Sequence, residues 1–294
     1  MKVLVVGGWG MLGSDLVAHL RSAGHDVMAP PRSVLDIASP ESVAEVALGK
    51  YAAEWCINCA AYTAVDKAEI EPDIANEING LAPGYLARAC AMSGSRLLHV
   101  STDFVFDGSS DAPYDEEAPT HPLGAYARSK LAGEHAVLAS LSTAVIVRTA
   151  WLYGPNGSSF PRTMIRAWEA GKTLRVVDDQ VGCPTYTADL ARTLGDLIAL
   201  DPAPGIYHAV GPESMTWRRF AELTLAAWRT VRGDGREVNI VSIATEDYPT
   251  PAKRPKSSVL SVAKLQGLGV APMRPVAVSL AEFCQRVGNS QEPV

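Results

Sequence analysis

The sequence predicts an α/β fold: a doubly wound parallel sheet with helices on both faces, joined to a smaller α/β lobe. Three observations carry this. Short apolar runs alternate with segments of helical spacing from residue 2 to about residue 150, the pattern of units that feed a parallel sheet. A glycine-rich turn follows the first apolar run directly. The chain has 294 residues, 47% hydrophobic and 20% charged, an ordinary globular balance with room for one large domain and an appended lobe.

The elements follow in order. "KVLVVGG" is a strand that runs into glycine, and "MLGSDLVAHLRSAG" is a helix with Gly24 as its stop. "HDVMAP" is the second strand. "SPESVAEVAL" opens with Ser39 as N-cap and Pro40 at the first helical position. "EWCINCAAY" is the third strand, and "NEINGLAPGYLARACAMSG" is a helix ending at Gly94. "RLLHVSTDFVF" and "TAVIVRTAWLYG" are the fourth and fifth strands, with the helix "AYARSKLAGEHAVLAS" between them.

Beyond Gly154 the regularity loosens. "SSFPRTMIRAWEAG" and "SMTWRRFAELTLAAWRTVRG" are helical, while "LRVVDDQVGCPTY" and "GIYHAVG" are short strand-like pieces. "TADLARTLGDLIAL" reads as a helix returning to the first sheet. The expected division is a dinucleotide-binding domain over 1–150 with a return segment at about 180–212. A substrate-binding lobe takes about 151–179 and 213–288.

Net charge is −6, and no basic stripe points to a nucleic-acid surface. The N-terminal apolar run Val3 to Val6 is too short for a signal peptide, and no stretch reaches the length of a membrane span. The expected location is cytoplasmic, with no nucleic-acid or membrane partner. Cys56 and Cys59 form a CxxC, but on a strand positions i and i+3 face opposite sides. No second CxxC or histidine pair lies nearby to complete a zinc site, and His99, His121, His135 and His208 have no partners suggesting ligation, so no metal is expected. Trp217 and Trp228 read as core.

"GGWGMLG" places Gly7, Gly10 and Gly13 three residues apart, between the first strand and the first helix. Glycines there let the backbone turn tightly and approach a pyrophosphate, while free N–H groups at the helix start face its charge. Met11 and Leu12 supply backbone in the same loop. This is a Rossmann-like dinucleotide site. Proteins that bind NAD usually carry an acid at the end of the second strand. Here the chain reads "MAPPRS", and Arg32 suits the 2′-phosphate of NADPH. NADPH is the expected cofactor, with NADH left open. Asp36, followed by Ile37, can serve the adenine side or cap the next helix.

In "YARSK", Tyr126 and Lys130 stand four apart, one helical turn, and so share a face. A nearby ammonium lowers a phenol's pKa, and a phenol so tuned can protonate a carbonyl oxygen. Ser101, Thr102 and Asp103 close the fourth strand, where a hydroxyl can bond the same oxygen. Cations for a substrate diphosphate are offered by Arg162, Arg166, Lys253, Arg254 and Lys256, with Arg254 preferred.

The stretches "GGWGMLG", "NCAAYTAVDKAE", "STDFVFDG", "YARSKLAGE", "RTAWLYG", "DDQVGCPTY" and "KRPKSSVL" run in this order over residues 7 to 260. Together they resemble the extended short-chain dehydrogenase/reductases, and among them the dTDP-4-dehydrorhamnose reductases. The resemblance implies Thr102, Tyr126 and Lys130 as catalytic, the last two also touching cofactor. It places Ala60, Ala61, Tyr62 and Thr63 along the cofactor, and Val65, Asp66, Thr102, Asp103, Trp151 and Arg254 at the substrate. It implies NADPH-dependent reduction of the 4-keto group of a dTDP-4-keto-6-deoxyhexose, giving dTDP-L-rhamnose or a close analogue. Related dehydratases carry an Asp-Glu pair at the strand end. Here Phe104 follows Asp103, which favours simple reduction. A second class shares the resemblance: the non-catalytic NADP-binding regulatory (beta) subunit of methionine adenosyltransferase, which presents a surface to an enzyme partner. The sequence leaves open which keto-sugar is used and the oligomeric state, a homodimer being one arrangement it allows.

Overall fold

The computed structural model describes residues 1–289. Its central sheet has six strands: β1 (Lys2–Val6), β2 (Asp26–Met28), β3 (Trp55–Asn58), β4 (Arg96–Thr102), β5 (Val145–Thr149) and β6 (Gly205–His208). They lie in the order β6-β5-β4-β3-β1-β2, all parallel. The helices that matter here are α1 (Met11–Ser22), α2 (Pro40–Ala47), α3 (Ala82–Ser93), α4 (Ala125–Ser140), α5 (Phe160–Glu169), α6 (Thr187–Ala199), α7 (Trp217–Arg232) and α8 (Val276–Asn289). The parallel α/β expectation is borne out.

Both faces of the sheet are buried because each strand is apolar at odd and even positions alike. Val3 and Val5 pack on one face with Leu16 and Leu20 of α1 and Leu190 and Leu194 of α6. Leu4 and Val6 pack on the other with Val43 of α2, Leu86 of α3 and Val137 of α4. Cys56 falls in the second cluster and Cys59 packs against the first, as strand alternation requires; all five cysteines are free thiols. "GIYHAVG" does more than its loose pattern suggested. Residues Gly205–His208 pair with Val145–Arg148 and close the sheet edge.

A further core gathers Ile165, Trp168, Phe220, Leu225, Trp228, Leu280 and Phe283. Around it, Leu174–Val177 pairs with Ile240–Ile243, and Val181–Gly182 pairs with Met215–Thr216. Helix α8 had no counterpart in the sequence reading. Val276, Leu280, Phe283 and Val287 are buried along it at helical spacing. Asp15 of α1 joins this core to the sheet by accepting from Arg286 of α8 at 2.9 Å. Among the described residues no helix is long and apolar enough to cross a membrane.

The connection from β1 goes to β2 on one side, and the chain then crosses back to β3 on the other. The crevice beyond the ends of β1 and β3 is therefore the topological switch point, where open α/β sheets hold ligands.

Candidate active site

Gly7 and Ala60 meet in this crevice. Gly7 has φ +76°, and a Cβ on it would lie 2.6 Å from the Ala60 amide nitrogen. A Cβ on Gly13 would lie 2.1 Å from the Gly7 carbonyl oxygen. Only glycine lets the loop turn and cross itself so closely. Gly10 caps α1 and no side chain bonds the first turn, so the amides of Met11, Leu12 and Gly13 lack intrahelical acceptors. This donor set fits a dinucleotide pyrophosphate. Leu12 contributes backbone alone, since its side chain belongs to the core. Trp9, which sequence reasoning passed over, donates its indole N–H to Ala29 at 3.0 Å and ties the loop to the end of β2.

Beyond β2, Arg32 Nε donates to Asp36 Oδ2 at 2.9 Å on an exposed surface. The other Asp36 oxygen accepts from the Ala38 amide at 3.1 Å. Ile37 packs among Leu4, Val6 and Leu35, so it offers a cofactor its backbone and not its side chain.

The segment after β3 is held from two sides. Asn58 Oδ1 accepts from the Ala60 amide at 3.0 Å, and its amide nitrogen lies 3.1 Å from His99 Nδ1. Asn79 accepts from the Tyr62 amide at 2.8 Å and donates to the Tyr62 carbonyl and to Ser129 of α4. It can do so because residues Glu77–Leu81 form a π turn, a widening common at functional sites. Asn79 was missed in the sequence: its spacing looks like plain helix. Thus Ala60, Ala61, Tyr62 and the exposed Thr63 form one clamped strip, with the Tyr62 hydroxyl on Glu71 at 2.9 Å.

Helix α4 starts beside this strip. Glu69 Oε1 accepts from the Ala125 amide at 2.6 Å, satisfying a first-turn donor that Gly124 has no side chain to reach. Tyr126 lines a pocket with Val65, Glu69, Phe104, Leu123 and Lys253. Thr102 Oγ1 donates to Asp103 Oδ1 at 3.0 Å and accepts from the Phe104 amide at 3.2 Å. Burial pushes the Tyr126 phenol up to about 12, while the Thr102 hydroxyl works to lower it. Burial also pushes Asp103 up to about 6, against the Ser258 and Thr102 hydroxyls.

The expected lowering of Tyr126 by Lys130 is corrected here. Lys130 is buried, donates to the Val100 carbonyl at 2.8 Å, and lies 3.5 Å from His99 Nε2. One of its N–H donors is taken by β4, and burial decides the phenol. Burial pushes Lys130 itself down to about 8, while the Glu134 carboxylate one turn along works to raise it. Glu134 in turn receives Arg148 at 2.7 Å and the Ser101 hydroxyl at 2.5 Å, all buried.

On the substrate side, Asp66 and Arg254 form a two-pronged pair at 2.8 and 3.1 Å. This pair holds the Asp66 carboxyl below its usual range. Arg254 is thereby committed to Asp66 and to the Ala252 carbonyl, which differs from the open cation expected for a diphosphate. Trp151 has φ +44° and stacks on Trp217 with ring centroids 3.4 Å apart. Trp228 is core, as read, but Trp217 is only partly buried. Among the described residues no group of three or more His, Cys, Asp or Glu is placed to hold a metal ion.

The glycine loop, the clamped strip and the Thr102–Tyr126 pair thus converge on one crevice. The family model described as the RmlD substrate binding domain matches residues 1–289. The chain belongs to this family. Among relatives of the RmlD family, it is 42% identical to the dTDP-4-dehydrorhamnose reductase of Streptomyces griseus, over 97% of this chain and 95% of that one. It is 38% identical to the spore coat polysaccharide biosynthesis protein SpsK of Bacillus subtilis (strain 168), over 97% of each. The crystal structure of the dTDP-4-dehydrorhamnose reductase of Bacillus anthracis str. Ames, in complex with NADP, superposes with a TM-score of 0.89 at 35% identity. It covers 96% of this chain and 99% of that one. The resemblance read from the motifs is borne out.

Proposed function

We propose that this protein is an oxidoreductase that uses NADPH to reduce the 4-keto group of a dTDP-4-keto-6-deoxyhexose. Its reaction converts dTDP-4-dehydrorhamnose to dTDP-L-rhamnose, or a close analogue to its alcohol. The observation that carries this is the placing of Thr102 at the end of β4 and Tyr126 in the first turn of α4, beside a glycine loop built for a dinucleotide. The names of the relatives, and NADP in the Bacillus anthracis structure, support the same chemistry.

Bound NADPH supplies the hydride to C4. Tyr126 supplies the proton to the oxygen at C4. A phenol pushed up to about 12 is fully protonated at neutral pH, and the oxygen forming at C4 is an alkoxide, a stronger base than phenolate. Proton transfer therefore runs downhill as charge develops. Thr102, held by Asp103 and the Phe104 amide, would turn its single O–H from Asp103 to the substrate oxygen when the substrate binds. Lys130, anchored on Val100, places positive charge beside the site and would hold the nicotinamide ribose with its other N–H donors. Arg32 would read the 2′-phosphate, and the amides of Met11, Leu12 and Gly13 the pyrophosphate. Phe104 stands where the dehydratases carry a second carboxylate, which favours reduction over elimination of water.

In this reading residues 1–150 and about 180–212 hold the dinucleotide. Residues 151–179 and 213–288 hold the sugar nucleotide, and the enzyme works in the cytoplasm. The test is NADPH oxidation, followed at its absorbance band, on adding each of a panel of dTDP-4-keto-sugars generated in place. Turnover with one or more supports the proposal, and turnover with none rejects it.

A further inference from the structure

We infer that Trp217 and Gly182 are positioning residues for Trp151, and that by holding its indole they set the affinity for the keto-sugar nucleotide. This rests on the reduction proposed above and on the resemblance that places Trp151 at the substrate.

Trp151 has φ +44°. A bulky L residue takes the left-handed region only when its surroundings over-determine it, and such strain gathers at functional sites. Two neighbours do the determining. Trp217, the first residue of α7, lies flat on the indole, with centroids 3.4 Å apart and planes 5° from parallel. Gly182 lies against the ring: a Cβ there would fall 2.3 Å from Trp151 Cε2 and 2.4 Å from Nε1. Any side chain at 182 would displace the indole.

Both neighbours come from one short ladder. Val181–Gly182 pairs with Met215–Thr216, and Trp217 follows at once. Trp217 is itself fixed by its N–H on Gln180 Oε1 at 3.2 Å and by the Phe160 ring at 4.6 Å. Trp151 lies two residues beyond β5, whose Thr149 is in register with Thr102 on β4. The ladder therefore grips a ring that projects from the catalytic end of the sheet. Both indoles stay partly exposed, unlike Trp228 in the core, so the stack borders open space.

The experiment measures KM for the keto-sugar nucleotide, KM for NADPH and kcat in five proteins: wild type, Trp151→Phe, Trp217→Leu, Trp217→Phe and Gly182→Ala. The expected result is a keto-sugar KM raised about 3- to 10-fold in Trp217→Leu and in Gly182→Ala, the range of a lost aromatic contact. In both, kcat and the NADPH KM stay within about 2-fold, and Trp217→Phe, which keeps a flat ring, stays near wild type. If Trp151→Phe raises the keto-sugar KM but Trp217→Leu and Gly182→Ala do not, the positioning role is overturned. A parallel loss of NADPH affinity, or a Trp217→Phe as impaired as Trp217→Leu, overturns it too. If Trp151→Phe itself leaves the keto-sugar KM unchanged, the substrate role of Trp151 fails first.

Discussion

Lys130 of α4 donates to the carbonyl of Val100 across 2.8 Å, two residues before Thr102 ends the same strand. The bond fixes the helix that carries Tyr126 against the strand that carries Thr102. It therefore holds the two side chains on neighbouring elements without engaging either hydroxyl.

The same burial makes activity sensitive to base. Lys130 is pushed down to about 8, so its ammonium is present below that pH and lost above it. Values of kcat/KM report ionisations of the free enzyme. The pH profile of kcat/KM should fall about tenfold per unit above about pH 8. In Lys130→Arg, whose guanidinium keeps its charge, the falling limb should vanish, at a lower plateau. A wild-type profile flat to pH 10 would contradict this.

Asp103 carries a stability penalty that depends on pH. Its carboxyl titrates at about 6 in the fold against an ordinary 3.8. Below 3.8 both folded and unfolded chains are protonated and nothing is lost. Between these values the folded state binds more protons, so stability falls as pH rises, and the loss is complete above about 6. Asp103→Asn should therefore be more stable than wild type at pH 7, by on the order of 3 kcal/mol. It should be no more stable below pH 4. Urea denaturation at the two values checks the difference.

Arg32 faces solvent and pairs with Asp36, so its removal should leave stability within about 0.5 kcal/mol. Its loss should instead fall on cofactor choice. Arg32→Ala is expected to weaken NADPH binding about tenfold or more while changing NADH binding little. Titrations with both nucleotides measure this, and equal weakening of the two would remove Arg32 from the 2′-phosphate.

Much of this was legible in the sequence. Strands buried on both faces announce themselves as unbroken apolar runs, and the glycines at 7, 10 and 13 carry their own steric reason. Contacts between distant residues were not legible. Glu69 capping α4, Asn79 clamping Tyr62 through a π turn, and Asp66 taking up Arg254 each join segments that no local pattern links. The sign of the Tyr126 shift failed for a related reason. Helical spacing places Lys130 on the right face, but only the fold shows that β4 supplies its nearest acceptor and that burial outweighs its charge. Helix α8 was overlooked, although Val276, Leu280, Phe283 and Val287 keep helical spacing.

The central claim is that the Tyr126 hydroxyl delivers the proton to the substrate oxygen. It is tested most directly by single-turnover NADPH oxidation in Tyr126→Phe, with NADPH affinity measured on the same protein. The account predicts a rate lowered about 10²- to 10⁴-fold, with NADPH affinity within about 2-fold of wild type. A variant that turns over at the wild-type rate would contradict it.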